Sequence, residues 1–82
     1  HFLNGLAEDP TAECRRYEER IVAVGGLDLV VLGIGVNGHI AFNEPGSPVD
    51  SRTRLVTLCR ESRAASAYLF ASAEEVPHQG LT

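Results

Sequence analysis

The spacing of apolar residues in the first part of the chain predicts an amphipathic helix followed by a buried strand. Asp9 can cap a helix that starts at Pro10, since a carboxylate accepts free N–H groups and proline suits the first helical position. The apolar positions of this helix recur at helical spacing: Cys14, Tyr17, Ile21 and Val24. Gly25 and Gly26 end it, and the apolar, branched segment 27–32 then predicts a strand covered on both faces. A helix followed by a buried strand is half of a βαβ unit, so the predicted fold class is α/β.

The second part of the chain predicts a loop, a weaker strand and another helix. Segment 33–48 is rich in glycine and proline, as a loop is, and segment 53–58 predicts a second, weaker strand. Segment 61–72 is rich in alanine and serine and predicts a helix that ends before Pro77. The expected packed face of this helix comprises Ala64, Ala65, Tyr68 and Leu69.

Length limits what the chain can do alone. Its 82 residues, 44% of them hydrophobic, allow one domain at most, and a chain this short buries only about 60% of its unfolded surface. It opens without methionine and its last residues resemble the start of another element, so we expect residues 1–82 to be a central fragment of one larger domain. The two cysteines, Cys14 and Cys59, are interpreted as reduced, buried thiols of a cytoplasmic protein, with a disulfide as the alternative.

Charge and hydropathy exclude two classes of partner. The net charge is −4, all seven basic residues are arginine, and no basic stripe runs along the chain, so nucleic-acid binding is not expected. The longest apolar run, around residues 29–32, is far too short to cross a bilayer, so no membrane partner is expected.

The loop after the predicted buried strand is the candidate ligand site. Gly33, Gly35 and Gly38 fit the pattern G-x-G-x-x-G, but Pro45 and Pro48 would stop the helix that a dinucleotide fingerprint must open, so a nucleotide cofactor is not expected. Ligands of open α/β sheets bind beyond the carboxyl ends of strands. Glycines there let the backbone approach a ligand, which makes Gly35 and Gly38 candidate substrate-binding residues.

Three polar residues in this loop could carry acid–base chemistry: Asn37, His39 and Glu44. Histidine can take and give a proton near neutral pH, and an amide or carboxylate beside one ring nitrogen would fix its tautomer and aim the other nitrogen outward. The alternative is an exposed loop histidine beside an asparagine that merely tolerates a turn. Residue types and spacing leave both interpretations open.

Segment 33–47, followed by Ser51–Arg54 and Thr57–Leu58, resembles the signature of glucosamine-6-phosphate deaminases. The 6-phosphogluconolactonases share the fold and a similar glycine-rich core, but they do not usually continue with Phe-Asn-Glu-Pro, which stands here at residues 42–45. The earlier segments that also match the deaminases are Leu3–Gly5, Glu13–Cys14 and Tyr17–Glu18. The resemblance therefore extends over essentially the whole chain.

The resemblance implies a three-layer α/β/α, Rossmann-like sheet that works without a cofactor or a metal. The implied reaction converts glucosamine 6-phosphate and water to fructose 6-phosphate and ammonia. By similarity, His39 is the acid and base of ring opening, while Asn37, where many members have Asp, and Glu44 orient it. The enolisation base and the phosphate-binding loop are expected before residue 1, and a further lysine after residue 82. The implied partner is a small sugar phosphate, with homo-oligomers known in the family.

Two positions depart from the family pattern. Ser47 and Arg54 match positions that hold an allosteric phosphosugar in hexameric members, but Val56 stands where the family has lysine. Tyr68 stands where the family commonly has an arginine for the substrate phosphate, and we interpret this tyrosine as a packed core residue. Three hypotheses follow: a deaminase, a sugar-phosphate-binding paralogue without turnover, and a lactonase of the same fold.

Overall fold

The structure, a computed structural model, describes residues 1–82 and contains two α-helices and two short strands. Their bounds, in chain order, are α1 Pro10–Ala23, β1 Leu55–Thr57, α2 Arg60–Ser66 and β2 Gln79–Leu81. Single 3₁₀ turns at Ala67–Leu69 and Ala73–Glu75 lie between α2 and β2. Neither α-helix is long and apolar enough to cross a membrane.

Helix α1 begins and ends where the sequence predicts. The Asp9 carboxylate accepts a hydrogen bond from the N–H of Ala12 at 3.1 Å, which satisfies one of the free donors of the first turn. After Ala23 the chain leaves the helix through Gly25 and Gly26, whose φ angles are 93° and 96°. Side chains rarely adopt this left-handed region, so glycine is the favoured residue at the helix end.

Two carboxylates of α1 fasten the helix to the rest of the chain. Glu13 is buried and accepts from the backbone N–H of Asn4 at 2.8 Å and from the guanidinium of Arg16 at 2.6 Å. The hydrogen bonds from Arg16 lower the pKa of Glu13 to about 2. Glu18 accepts from the N–H and the hydroxyl of Thr53, at 2.8 and 2.6 Å. The first carboxylate holds the N-terminal segment, and the second positions the segment that leads into β1.

The sheet is a two-stranded antiparallel ladder. β1 pairs with β2 so that Leu55 faces Leu81 and Thr57 faces Gln79. This confirms a strand within the predicted segment 53–58, although the strand is only three residues long. The small core lies beside it, and its buried apolar residues are Cys14, Leu58 and Val76. Both cysteines are free thiols, but Cys59 is only half-buried, so the prediction of two buried thiols is wrong for this residue.

The predicted buried strand at 27–32 is wrong for this structure. The segment pairs with no other strand and its side chains are exposed, with Leu29 at 82% and Val31 at 89%. A strand needs hydrogen-bonded neighbours, and the two strands that form pair with each other. The radius of gyration is 13.6 Å, against about 12 Å for a compact domain of this length. The chain therefore does not bury this segment by itself.

The second helix differs from its prediction in length and in buried face. α2 ends at Ser66 rather than continuing to residue 72, because the chain tightens into a 3₁₀ turn there. Ala64 and Ala65 are exposed, and Tyr68 is 83% exposed, so the prediction that Tyr68 packs in the core is wrong. The buried residue of α2 is Ser62, because this side of the helix faces polar groups of the glycine-rich loop.

Candidate active site

The loop from Gly33 to Glu44 is folded by its own backbone hydrogen bonds. The N–H of Gly35 donates to the carbonyl of His39 at 2.8 Å, and the N–H of Gly38 donates to the carbonyl of Gly35 at 3.0 Å. A second turn follows, in which Ile40 and Asn43 form an antiparallel bridge. These turns bring residues of the loop into contact that are up to eight positions apart in sequence, as in the hydrogen bond from the N–H of Ala41 to the carbonyl of Gly33 at 2.9 Å.

Gly35 provides the surface on which the His39 ring rests. A Cβ atom at position 35 would overlap three atoms of the imidazole, so only glycine leaves room for the ring in this position. The sequence predicts that the backbone at Gly35 and Gly38 can approach a ligand; in the structure the N–H groups of both residues donate within the loop. What the structure shows for Gly35 is close contact with the candidate acid–base residue.

Asn37 holds one edge of the imidazole. Its Oδ1 atom lies 2.6 Å from Nδ1 of His39 and also accepts from the His39 backbone N–H at 3.1 Å. Its Nδ2 atom donates to Oε2 of Glu44 at 3.2 Å. Since a carboxylate only accepts, this last contact fixes the orientation of the amide and makes the atom facing His39 an acceptor.

Ser62 reaches the same ring nitrogen from helix α2. Its hydroxyl lies 3.0 Å from Nδ1 of His39 and donates its one hydrogen to Oε1 of Glu44. The residue is only 2% exposed, the lowest value in the chain. Asn37 and Ser62 therefore both present acceptors to Nδ1, which places the ring hydrogen there and leaves Nε2 with a lone pair in the neutral imidazole.

Asn37, His39, Glu44, Cys59 and Ser62 form one hydrogen-bonded cluster. Glu44 lies at its centre, although it makes no hydrogen bond to His39. Its carboxylate accepts from the Ser62 hydroxyl, from the Cys59 thiol at 3.1 Å, from Asn37 and from the Cys59 backbone N–H at 3.3 Å. The hydrogen bond from Ser62 is the largest cause that lowers the pKa of Glu44 to about 2, followed by that from Cys59, while burial opposes them. The carboxylate is therefore ionised at neutral pH.

The arrangement can serve acid–base chemistry at one nitrogen. With Nδ1 bonded to two acceptors, Nε2 can take a proton, and the nearby negative charge of Glu44 stabilises the imidazolium that results. The alternative from the sequence, a loop histidine that is merely exposed, does not describe this ring. No three His, Cys, Asp or Glu side chains are grouped so as to hold a metal ion.

Ser47 and Arg54 also meet in the structure, beside the site. The Arg54 guanidinium donates to the Ser47 hydroxyl at 3.2 Å and to the side-chain carbonyl of Asn43 at 2.9 Å. The Ser47 hydroxyl in turn donates to the backbone carbonyl of Glu44 at 2.7 Å. Arg54 is half-buried, and its two hydrogen bonds stabilise the end of the loop.

Sequence reasoning missed Ser62 and Cys59, two of the residues that contact Glu44. Both lie where strand β1 gives way to helix α2, with Cys59 at the helix N-cap position. A strand end is where ligand sites of α/β proteins collect, so polar residues just after the second predicted strand were a usable signal. The contacts were not predicted because these residues lie 15 and 18 positions from Glu44 in the sequence.

Comparison with a solved structure identifies the class of protein to which this arrangement corresponds. The whole chain superposes on 34% of a monomeric glucosamine-6-phosphate deaminase, described as a missing link of the NagB superfamily, with a TM-score of 0.93 and 50% sequence identity. The chain thus has the conformation of a fragment of a NagB-superfamily fold. No protein-family model matches the chain.

Curated sequences give the particular relatives. Glucosamine-6-phosphate deaminase of Thermoanaerobacter sp. (strain X514) is 51% identical over the whole chain, and that of Lysinibacillus sphaericus (strain C3-41) is 54% identical. Glucosamine-6-phosphate deaminase 1 of Bacillus subtilis (strain 168) is 52% identical over 83 aligned positions. The chain spans 32% to 35% of the length of these relatives. The chain is therefore homologous along its full length to about a third of a glucosamine-6-phosphate deaminase, which confirms the resemblance seen in the sequence.

Proposed function

We propose that this chain is the ring-opening part of an enzyme that converts glucosamine 6-phosphate and water to fructose 6-phosphate and ammonia. The observation that carries the proposal is the His39 ring, whose Nδ1 is bonded by Asn37 and Ser62 so that Nε2 is left to act on a ligand. Homologues named glucosamine-6-phosphate deaminase, which are 50% to 54% identical over the whole chain, support the choice of substrate.

In this proposal His39 moves one proton between two oxygens of the sugar. Nε2 takes the proton of the anomeric hydroxyl and returns it to the ring oxygen as the bond between that oxygen and the anomeric carbon breaks, which gives the open-chain aldehyde. Asn37 and Glu44 orient the ring and stabilise its charged form. Gly35 leaves room for the imidazole, and Gly38, which has open space beside its Cα, lets a sugar approach the loop.

The longer protein is proposed to have a three-layer α/β/α, Rossmann-like sheet, in which residues 1–82 are one part of a single domain. The exposed apolar segment 27–32 supports this proposal, since its composition is that of a strand covered on both faces. We also propose a cytoplasmic location and no cofactor or metal. A homo-oligomer stays a prediction, and the solved neighbour is described as monomeric. Light scattering of the full-length protein tests the oligomeric state.

The test is an assay of the full-length protein with glucosamine 6-phosphate, in which ammonia and fructose 6-phosphate are both measured. His39→Gln should lower kcat by about 10²- to 10⁴-fold, the usual contribution of a general acid–base residue. His78→Gln is the matched control, because His78 is exposed and its side chain makes no hydrogen bond in the structure. Absence of product from the wild-type protein, or equal activity of both variants, would refute the proposal.

A second candidate is a sugar-phosphate-binding protein without turnover. Tyr68, which stands where the resemblance expects a phosphate-binding arginine, is exposed instead of packed, and tyrosine cannot supply a bidentate cation. This candidate predicts a thermal shift with glucosamine 6-phosphate and no ammonia. The lactonase hypothesis predicts hydrolysis of 6-phosphogluconolactone in the same series of assays.

A further inference from the structure

We infer that Ser62 is a positioning residue that joins the charge of Glu44 to the His39 ring and, together with Asn37, fixes which ring nitrogen carries the hydrogen. The resemblance assigns no role to this serine, and the sequence did not indicate one. The inference deepens the proposed function and rests on it for its kinetic consequence. Its structural part, the tautomer of His39, can be measured whether or not the protein turns over an aminosugar phosphate.

Glu44 acts on His39 only through intermediaries. The carboxylate has four donors, and none of them is the imidazole. Two of the donors, Ser62 and Asn37, also contact Nδ1 of His39, at 3.0 and 2.6 Å. The charge therefore reaches the ring along two short hydrogen-bonded paths.

The hydrogens available along the path through Ser62 determine the direction of each hydrogen bond in it. A serine hydroxyl has one hydrogen to donate, and here it points to the carboxylate of Glu44. Toward His39 the oxygen can then only accept, so Nδ1 must be the donor. An ionised Glu44 thus sets the direction of both hydrogen bonds, and Ser62 transmits this direction to the ring.

The position of Ser62 fits this role. Ser62 is the most buried residue of the chain, on the side of α2 that faces the loop, and a buried hydroxyl without partners would cost free energy. Two of its partners, His39 and Glu44, are ionisable groups of the candidate site, and the third is the Cys59 thiol at 3.4 Å. Ser66 lies one turn further along α2 and makes no side-chain hydrogen bond, so a hydroxyl on this helix does not by itself lead to such contacts.

The experiment measures the tautomer of His39 and the steady-state kinetics of the full-length protein. Ring ¹⁵N chemical shifts are recorded at about pH 9, where imidazole is neutral. The wild-type protein should show mainly the Nδ1–H form. Ser62→Ala should shift the tautomer ratio toward Nε2–H about fivefold, the factor expected for one net hydrogen bond. It should also lower kcat roughly tenfold with little change in KM, since the bond strengthens when the imidazolium forms.

Two further variants separate positioning from a purely structural role. Ser62→Thr keeps the hydroxyl and should restore both the tautomer ratio and kcat, while Ser66→Ala, the control on the same helix, should change neither. The inference is overturned if the wild-type ring is the Nε2–H form, a result that needs no variant to fold. It is also overturned if Ser62→Ala keeps the wild-type ratio, or if Ser62→Thr is as impaired as Ser62→Ala. A normal tautomer pattern without ammonia production would instead refute the proposed reaction and leave the role of Ser62 supported.

Discussion

Replacing Gly35 by alanine tests whether the position of the His39 ring depends on the absence of a side chain beneath it. The added Cβ atom would overlap the imidazole, whereas the φ angle of Gly35 lies outside the left-handed region, so the backbone itself accepts alanine. The atoms that clash belong to a side chain, and a side chain can rotate away. We therefore expect the ring to swing out of its place between Asn37 and Ser62 while the fold is retained.

Gly35→Ala should lower the stability of the protein only slightly and its kcat strongly. The displaced ring loses the Nδ1 hydrogen bond that Asn37 and Ser62 share, and leaving these buried acceptors without it costs about 2 kcal/mol of the free energy of unfolding. Replacing glycine by alanine at a compatible position raises the free energy of unfolding by about 0.4 to 1 kcal/mol, because alanine restricts the unfolded chain. The net loss of stability should thus be about 1 to 2 kcal/mol. The loss of activity should approach that of His39→Gln, about 10²- to 10⁴-fold in kcat.

The assay compares Gly35→Ala with Gly33→Ala in the full-length protein, by ammonia release and by denaturant unfolding. Gly33 has no atom within 4 Å of an added Cβ and no left-handed φ angle, so its variant should keep kcat within about twofold of the wild type. The double variant of Gly35→Ala and His39→Gln should be no slower than either single one, because both changes remove the same group. Wild-type kcat in Gly35→Ala would refute the reasoning.

Three other changes test the frame around the site. The pKa of Glu44 is about 2 in the folded protein and 4.5 ordinarily, so its ionised form stabilises the fold above about pH 4.5, and this stabilisation is lost as the pH falls toward 2. Glu44→Gln should therefore flatten the pH dependence of the free energy of unfolding in that window. An unchanged slope would contradict this prediction. Asp9→Ala removes the hydrogen bond to the N–H of Ala12 and should lower the free energy of unfolding by about 1 kcal/mol, with Asp9→Asn as the control that keeps an acceptor. Gly80→Ala brings a Cβ within 2.9 Å of the Phe42 ring and should cost about 1 to 3 kcal/mol by denaturant titration, a prediction that fails if the variant is as stable as the wild type.

Some features of the fold were readable from the sequence because their causes are local. Helix α1 follows from a capping aspartate, a proline at the first position and two glycines at the end, all within a few residues of the groups they affect. The same holds for the glycine-rich loop, whose composition alone excludes a helix. The three residues singled out in it, Asn37, His39 and Glu44, do lie in one hydrogen-bonded cluster.

Other features depended on partners that local sequence does not name. Segment 27–32 has the composition of a buried strand, yet a strand exists only beside another strand, and this chain supplies none for it. Tyr68 looks like a core residue by its size and spacing, yet α2 turns a serine inward because the surface it faces is polar. In both cases the sequence pattern showed that the side chains are apolar or large, but it did not show which groups would lie beside them.

The sequence by itself determined the resemblance to one family, and it indicated a histidine in a glycine-rich loop as the candidate acid–base residue. Only the tertiary structure decided how that histidine is held. The carboxylate of Glu44 does not bond the ring; Ser62, 18 positions further along the chain, stands between them and is the nearly fully buried member of the cluster. The reason is physical: a hydrogen bond depends on distance and direction in space, and sequence spacing fixes these only within one helix, strand or turn.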